Sequence, residues 1–253
     1  YLLDTVAIAK ALGNGKPVKL VWSREDDMRA GFYRPIYFHS LQAAVDRDGT
    51  ITGWQQRIVG QSIVAGTPLD SGAPVDFTSV EGAANLPYAI PNLQVELHTT
   101  KIGVPIQWWR SVGSTHTAYA VECFLDDIAR GTKQDPVELR RKLLANHPRH
   151  LAVLNAAAEK SGWGSPLPAG TTRGIALAES FSTVVAEVVE ISKRGNGYKV
   201  DKVHCVVDCG IAVNPNIVAM QMESAIAYGL SAAISGAVTL KDGYVQETNF
   251  HQH

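Results

Sequence analysis

Leu2, Val6 and Ala9 recur at helical spacing and Gly13 stops them, so the pattern predicts an opening helix. Lys16 to Trp22 then reads as a strand, followed by an acidic stretch at Ser23–Met28. Alternation predicts strands over Tyr37–Val45 and Ile51–Val59, turned at Asp46-Arg47-Asp48-Gly49. Residues 60–91 are rich in Gly, Pro, Ser and Asp, and irregular chain of that length usually serves as a functional or interface loop. Val104–Arg110 returns to strand, with Val104, Ile106, Trp108 and Arg110 on one face. Val121, Phe124, Leu125 and Ile128 form a helical stripe that Gly131 ends. Asp135-Pro136-Val137-Glu138 opens a second helix with an N-cap, a first-turn proline and a capping-box-like glutamate. Leu151–Lys160 continues helical as far as Gly162.

Residues 161–170 are dense in Gly and Pro, and the pattern changes after them. Ile175–Ile191 and Tyr198–Val207 read as strands around a turn at Arg194-Gly195-Asn196-Gly197. Asn214-Pro215 starts a helix running to about Ile234, and a last hairpin turns at Lys241-Asp242-Gly243. Strands in hairpins with helices beside them predict an α+β fold of two lobes, with mixed or antiparallel sheets and packed helices. The expected division is a first lobe over 1–160, a linker over 161–172 and a second lobe over 173–253.

Composition narrows the function. A hydrophobic share of 45% and a charged share of 19% are ordinary for a folded globular chain. Net charge is −1 and no basic cluster exceeds a few residues, which argues against nucleic-acid or membrane-surface partners. No unbroken apolar run approaches the roughly 18 residues that span a bilayer, so no transmembrane segment is expected, and no targeting segment is visible at Tyr1. Cys205 and Cys209 fall on one face of a predicted strand and read as small buried hydrophobes. Three cysteines are too few for a zinc or iron–sulfur site. His39, His98, His116 and His204 show no metal spacing; His251 and His253 form an HxH pair on a predicted strand, but the chain stops there. His147-Pro148-Arg149-His150 reads as a solvated helix junction, and no metal site is expected.

Two positions invite chemistry. Arg110 ends the predicted strand on its apolar face, just before a helix begins at Ser114 or Thr115. A guanidinium there needs an anion or several acceptors, and helix N–H groups also attract negative charge. Either an anionic ligand or an internal carboxylate such as Glu122 would satisfy it. Gln221 lies amid Ile217, Ser224, Ala225 and Tyr228 on one helix face, and a buried amide there must bond to a ligand or to neighbouring backbone. Asp208 at a strand end reads as a loop cap, and Glu179 and Glu187 as residues of a solvated strand face.

The segments KPVKLVWSREDDM, QWWRSVGSTHTAYAVECFLDDIA, HPRHLAVLNAAAEKSGWGSPLPAGTTRGIALAESF, VVDCGIAVNPNIVAMQMESAIAYGLSAAI and TLKDGYVQETNFH occur in this order. Together they resemble the molybdopterin-binding large subunits of the xanthine dehydrogenase family. The branch is that of isoquinoline 1-oxidoreductase and the bacterial aldehyde and nicotinate dehydrogenases. The resemblance spans essentially the whole chain. It implies a molybdenum–pyranopterin cofactor, in bacteria often the cytosine dinucleotide form, that hydroxylates an N-heterocycle or an aldehyde. Electrons then leave through iron–sulfur clusters on a small partner subunit. By the same resemblance Arg110 matches the arginine of the RGFG-like segment, with Ser111, Val112 and Gly113 beside it, and Gln221 matches the glutamine of the GQxxG-like helix. Val112 replaces the usual phenylalanine, which speaks against purine stacking, and Ser224 replaces a glycine.

The family's GGGF segment, its GQxEMGQG-type loop and its GVGE segment with the catalytic glutamate have no counterpart here. No catalytic residue is therefore assigned, and the isolated chain is expected to be inactive. It would be completed by the remaining parts of the large subunit, in the periplasm by analogy with exported relatives. The alternative is a scaffold or interaction domain that keeps the fold without the cofactor.

Overall fold

The computed structural model describes residues 1–253, which form two compact units, one of residues 33–215 and one of residues 1–32 with 216–253. The smaller unit opens with α1 (Leu2–Leu12), closed by Gly13 in the left-handed region at φ 58°. Residues 16–22, expected as a strand, are irregular: they join no sheet, and a strand pattern without a partner ladder has nothing to hold it extended. Ser23 starts α2 (Arg24–Ala30) through a capping box. Its Oγ accepts from the Asp26 N–H at 3.2 Å, and the Asp26 carboxylate accepts from the Ser23 N–H at 3.0 Å.

The larger unit carries both main sheets. Strands β1 (Tyr37–Val45) and β2 (Ile51–Gly60) pair antiparallel, as the alternation predicts, and Asp46 closes their turn by accepting from Asp48 and Thr50 N–H groups, both at 2.9 Å. A third strand, β3 (Leu93–Thr99), was not among the expected elements and pairs parallel to β2 after a long crossover. Helices α3 (Ser114–Thr132), α4 (Pro136–Leu143) and α5 (Pro148–Lys160) follow, α4 capped by Asp135.

Strands β4 (Thr171–Ser180), β5 (Thr183–Arg194) and β6 (Gly197–Asp208) then form an antiparallel sheet in chain order. The run Ile175–Ile191, expected as one strand, is thus two, broken at Phe181 and Ser182 with φ of 49° and 61°. Neither residue favours that conformation, so no Gly or Asn signals the turn. Arg149, expected in a solvated junction, holds the turn instead: it donates to the Ser182 carbonyl at 2.9 Å and to both Asp208 carboxylate oxygens at 3.0 Å. Of the expected linker 161–172, residues 161–170 connect α5 to β4 inside this unit and Thr171 and Thr172 already belong to β4, and Arg173 donates to the carbonyls of Ser161, Gly162 and Ser165.

The core of this unit lies between the inner face of β4 and β5 (Ile175, Leu177, Val184, Ala186, Val188) and helices α3 and α5, through Val121, Leu125, Leu154 and Ala157. Full burial of each large aliphatic side chain contributes about 1.5–3 kcal/mol. One polar network is sealed inside it. Arg140 of α4 is 0% exposed and donates to Glu122 at 3.0 Å and to Asp126 at 2.7 Å, while Tyr88 Oη–H and the Leu177 N–H donate to the two Glu122 oxygens. Burial opposes the guanidinium charge, but the carboxylates beside it raise its pKa above the ordinary value.

The smaller unit resumes with α6 (Pro215–Ile234), then the two-residue strands β7 (Leu240–Lys241) and β8 (Tyr244–Val245). His251 and His253, expected on a strand, lie in and just after a 3-10 turn at Phe250–Gln252. Arg24 of α2 sits 4.4 Å from the centre of the Phe250 ring, and Asn249 donates to Glu25 at 2.6 Å. Helix α6 has 20 residues, none of them buried. By length and composition it is long and apolar enough to cross a bilayer. The unbroken-run criterion missed it because Gln221, Glu223 and Ser224 interrupt the apolar sequence. The architecture as a whole is α+β, in agreement with the pattern.

Candidate functional site

Arg110 does not end a strand. The segment before it makes one isolated bridge, Tyr33 to Ile106, with the Tyr33 N–H on the Pro105 carbonyl and the Gln107 N–H on the Tyr33 carbonyl, both at 3.0 Å. Arg34 lies 4.8 Å from the centre of the Trp109 ring and braces the approach to the turn. With no ladder there is no apolar face to be buried in, and Arg110 is exposed.

The turn that follows is strained. Ser111 and Val112 have φ of 64° and 51°, a region that a β-branched residue enters only when its surroundings impose it, at roughly 1–3 kcal/mol each. Those surroundings are specific. Ser111 Oγ and Thr115 Oγ1 both donate to the Arg110 carbonyl at 2.6 Å. Glu81 accepts the Gly113 N–H at 2.7 Å through its carboxylate and the Thr117 hydroxyl at 2.7 Å through its carbonyl. A Cβ on Gly113 would lie 2.3 Å from the Thr78 carbonyl oxygen, so the loop around Glu81 and the turn approach as closely as a glycine permits.

Two expectations about this region need correction. The start of α3, read as open to an external anion, already faces the Glu81 carboxylate, which takes the N–H that an incoming anion would use. Glu122, the internal carboxylate weighed as a partner for Arg110, is occupied on both oxygens by Arg140, Tyr88 and Leu177. Gln221 is placed differently from its reading as well. It lies exposed on α6, a helix with no buried residue, because nothing within the smaller unit covers that face. Arg110, Ser111, Val112 and Gly113 therefore belong to the larger unit and Gln221 to the smaller.

A polar chain that sequence reading missed runs behind the turn. Trp54 Nε1–H donates to Gln56 Oε1 at 3.3 Å; Gln56 Nε2 lies 3.0 Å from His39 Nδ1, and His39 Nε2 lies 2.9 Å from His116 Nδ1. Because an indole only donates, every proton in the chain follows. The glutamine amide gives to His39 Nδ1, His39 carries its hydrogen on Nε2, and His116 accepts on Nδ1 and carries its hydrogen on Nε2, which is buried without a partner. Tyr37 stacks on His116 at 3.7 Å, with space left by Gly60, where a Cβ would lie 2.2 Å from the ring. Burial pushes His39 down to about 4, and burial with His39 alongside pushes His116 down to about 3. His39 and His116 stand 77 residues apart, so no sequence spacing announces the pair.

Asp208, Glu187 and Cys205 are engaged by neighbours within the larger unit. Asp208 accepts from Arg149 and from the Gly210 N–H, and is held at about 2 by those bonds. Burial raises Glu187, and burial with Glu187 beside it pushes the half-buried Cys205 thiol up to about 12. No group of three or more His, Cys, Asp or Glu converges to hold a metal ion directly.

Arg110 thus stands in a strained, clamped turn of the larger unit and Gln221 on α6 of the smaller. The family comparison specifies the class. The molybdopterin cofactor-binding domain models match residues 1–144 and 152–253, and the chain belongs to that family. Among curated relatives it is 31% identical, over its whole length, to isoquinoline 1-oxidoreductase subunit beta of Brevundimonas diminuta, and 27% identical to a membrane-bound aldehyde dehydrogenase of Gluconacetobacter polyoxogenes. It spans 33% and 36% of those two proteins. Of solved structures, quinoline 2-oxidoreductase from Pseudomonas putida 86 aligns with a TM-score of 0.53 at 18% identity, covering 74% of this chain and 26% of that one. Aldehyde oxidoreductase from Desulfovibrio desulfuricans aligns at 0.51 and 17%, covering 71% and 21%. At those identities the alignments establish the fold.

Proposed function

We propose that this chain is the cofactor-gripping part of a molybdenum hydroxylase large subunit, acting in the complete enzyme on an aldehyde or an N-heterocycle. The observation that carries the reading is that the Arg110–Gly113 turn, strained and clamped, lies within residues 1–144, which a molybdopterin cofactor-binding domain model matches, as a second such model matches 152–253. The donor set suits the group. An exposed guanidinium and a primary amide match phosphate and pterin carbonyl oxygens. When bound, the cofactor supplies the redox chemistry of hydroxylation. In that enzyme Arg110 neutralises the cofactor's negative charge and orients it, while Gln221 on α6 offers a donor and an acceptor to its periphery. The general base is proposed to come from sequence outside this chain, and the cytosine dinucleotide form, the iron–sulfur small subunit and a periplasmic location rest on resemblance. Apolar α1 and α6, exposed here, are proposed to pack against the rest of the subunit.

The test is expression with the flanking sequence and partner subunits, followed by metal analysis and the visible spectrum. Molybdenum close to one per protomer, reduced severalfold by Arg110→Ala, supports the reading. Stoichiometric metal that Arg110→Ala leaves unchanged overturns the site, and a completed protein without molybdenum favours a scaffold.

A further inference from the structure

We infer that Glu81 is a positioning residue for the Arg110–Gly113 turn, an inference that rests on the cofactor-gripping reading of that turn. Three observations converge on it. The Glu81 carboxylate accepts the Gly113 N–H at 2.7 Å, the last backbone donor before α3 begins. The Glu81 carbonyl accepts the Thr117 hydroxyl at 2.7 Å, one helical turn further along. Gly82 next to it has φ of 80°, and a Cβ there would stand 2.4 Å from Thr117 Oγ1, so the Glu81 backbone lies against α3 only because residue 82 is glycine.

Glu81 thus bridges an otherwise irregular loop to the turn through one side-chain and one main-chain bond. Its charge complements the N-terminus of a 19-residue helix. That placement does two things. It opposes relaxation of Ser111 and Val112 out of their left-handed conformations, since the segment cannot unwind without breaking the Gly113 bond. It also spends the helix dipole internally, leaving the Arg110 side chain as the cationic element of the turn.

The holoenzyme tests it with four variants, Glu81→Ala, Glu81→Gln, Arg110→Ala and Tyr88→Phe, each assayed for molybdenum and pterin per protomer and for thermal midpoint. Glu81→Ala removes the acceptor and should lower cofactor content about fivefold, the scale of one lost hydrogen bond. Glu81→Gln keeps an oxygen able to accept the Gly113 N–H and should retain wild-type content. Tyr88→Phe loses a core hydrogen bond to Glu122 and should lower the thermal midpoint without lowering content, separating positioning from general destabilisation. If Arg110→Ala depletes the cofactor but Glu81→Ala does not, the positioning role is overturned while the turn's function stands. If Gln fails as badly as Ala, charge rather than position is responsible and the inference also falls. If Arg110→Ala keeps its cofactor, the underlying reading falls and takes the inference with it.

Discussion

Acid should loosen the larger unit from about pH 6.5 downward, because His39 and His116 are locked into a neutral hydrogen-bond chain. Protonating His39 would turn Nδ1, the acceptor of the Gln56 amide, into a donor facing a donor. The folded values of about 4 and about 3 lie below the ordinary 6.5. Each ring therefore contributes stability that is complete above about pH 6.5 and lost as pH falls toward its folded value, since the unfolded chain takes up the proton first. Between pH 7 and pH 5 the difference is about 2 kcal/mol per ring and roughly 3–4 kcal/mol together, a large share of a typical domain's 5–15 kcal/mol. Urea unfolding at the two pH values, followed by tryptophan fluorescence with Trp54 buried beside the chain, measures it. His116→Phe keeps an aromatic ring against Tyr37 and removes one titrating group, so it should be less stable at pH 7 but lose only about half as much on acidification. Parallel pH profiles for wild type and variant would refute the locked-neutral assignment. Asp208, held near 2, releases its contribution at much lower pH and does not obscure the window.

Further outcomes follow from other contacts. Arg140→Ala should cost about 3–5 kcal/mol in chemical denaturation, because it strands the buried Glu122 carboxylate; a loss under ~1 kcal/mol would mean the network is dispensable. The double change Phe181→Asn with Ser182→Gly should raise stability by roughly 1–2 kcal/mol by relieving two left-handed residues, at little cost in burial since Phe181 is 79% exposed; a lower unfolding midpoint would show that the turn is not strained. Gly82→Ala, forced to φ of 80° against Thr117, should destabilise by at least ~1 kcal/mol and reduce cofactor content in the holoenzyme, and a neutral result in both assays would contradict the close approach described here.

Much of the fold was legible from local pattern. The first hairpin, the three consecutive helices, the Asp135 cap and the long helix from Pro215 each follow from periodicity and capping chemistry, which act over a few residues and leave a mark in sequence. Ordered motifs likewise carried the family, and with it Arg110 and Gln221 as positions of interest. What local pattern could not supply was pairing. Lys16–Trp22 and Val104–Arg110 have strand-like residues but acquire no ladder, whereas Leu93–Thr99 gains one from a strand far back in the chain. The turn at Phe181–Ser182 is imposed by the antiparallel register of β4 on β5 and held by Arg149, against the preferences of both residues. Ion-pair partners were decided in the same way: Glu122 went to Arg140 and the start of α3 to Glu81 because packing brought them within 3 Å, and sequence separation carries no information about such meetings. Local preference is written residue by residue, but burial and partnership are properties of the assembled chain, so composition and periodicity determined the elements while tertiary contact alone decided which polar groups hold the candidate site.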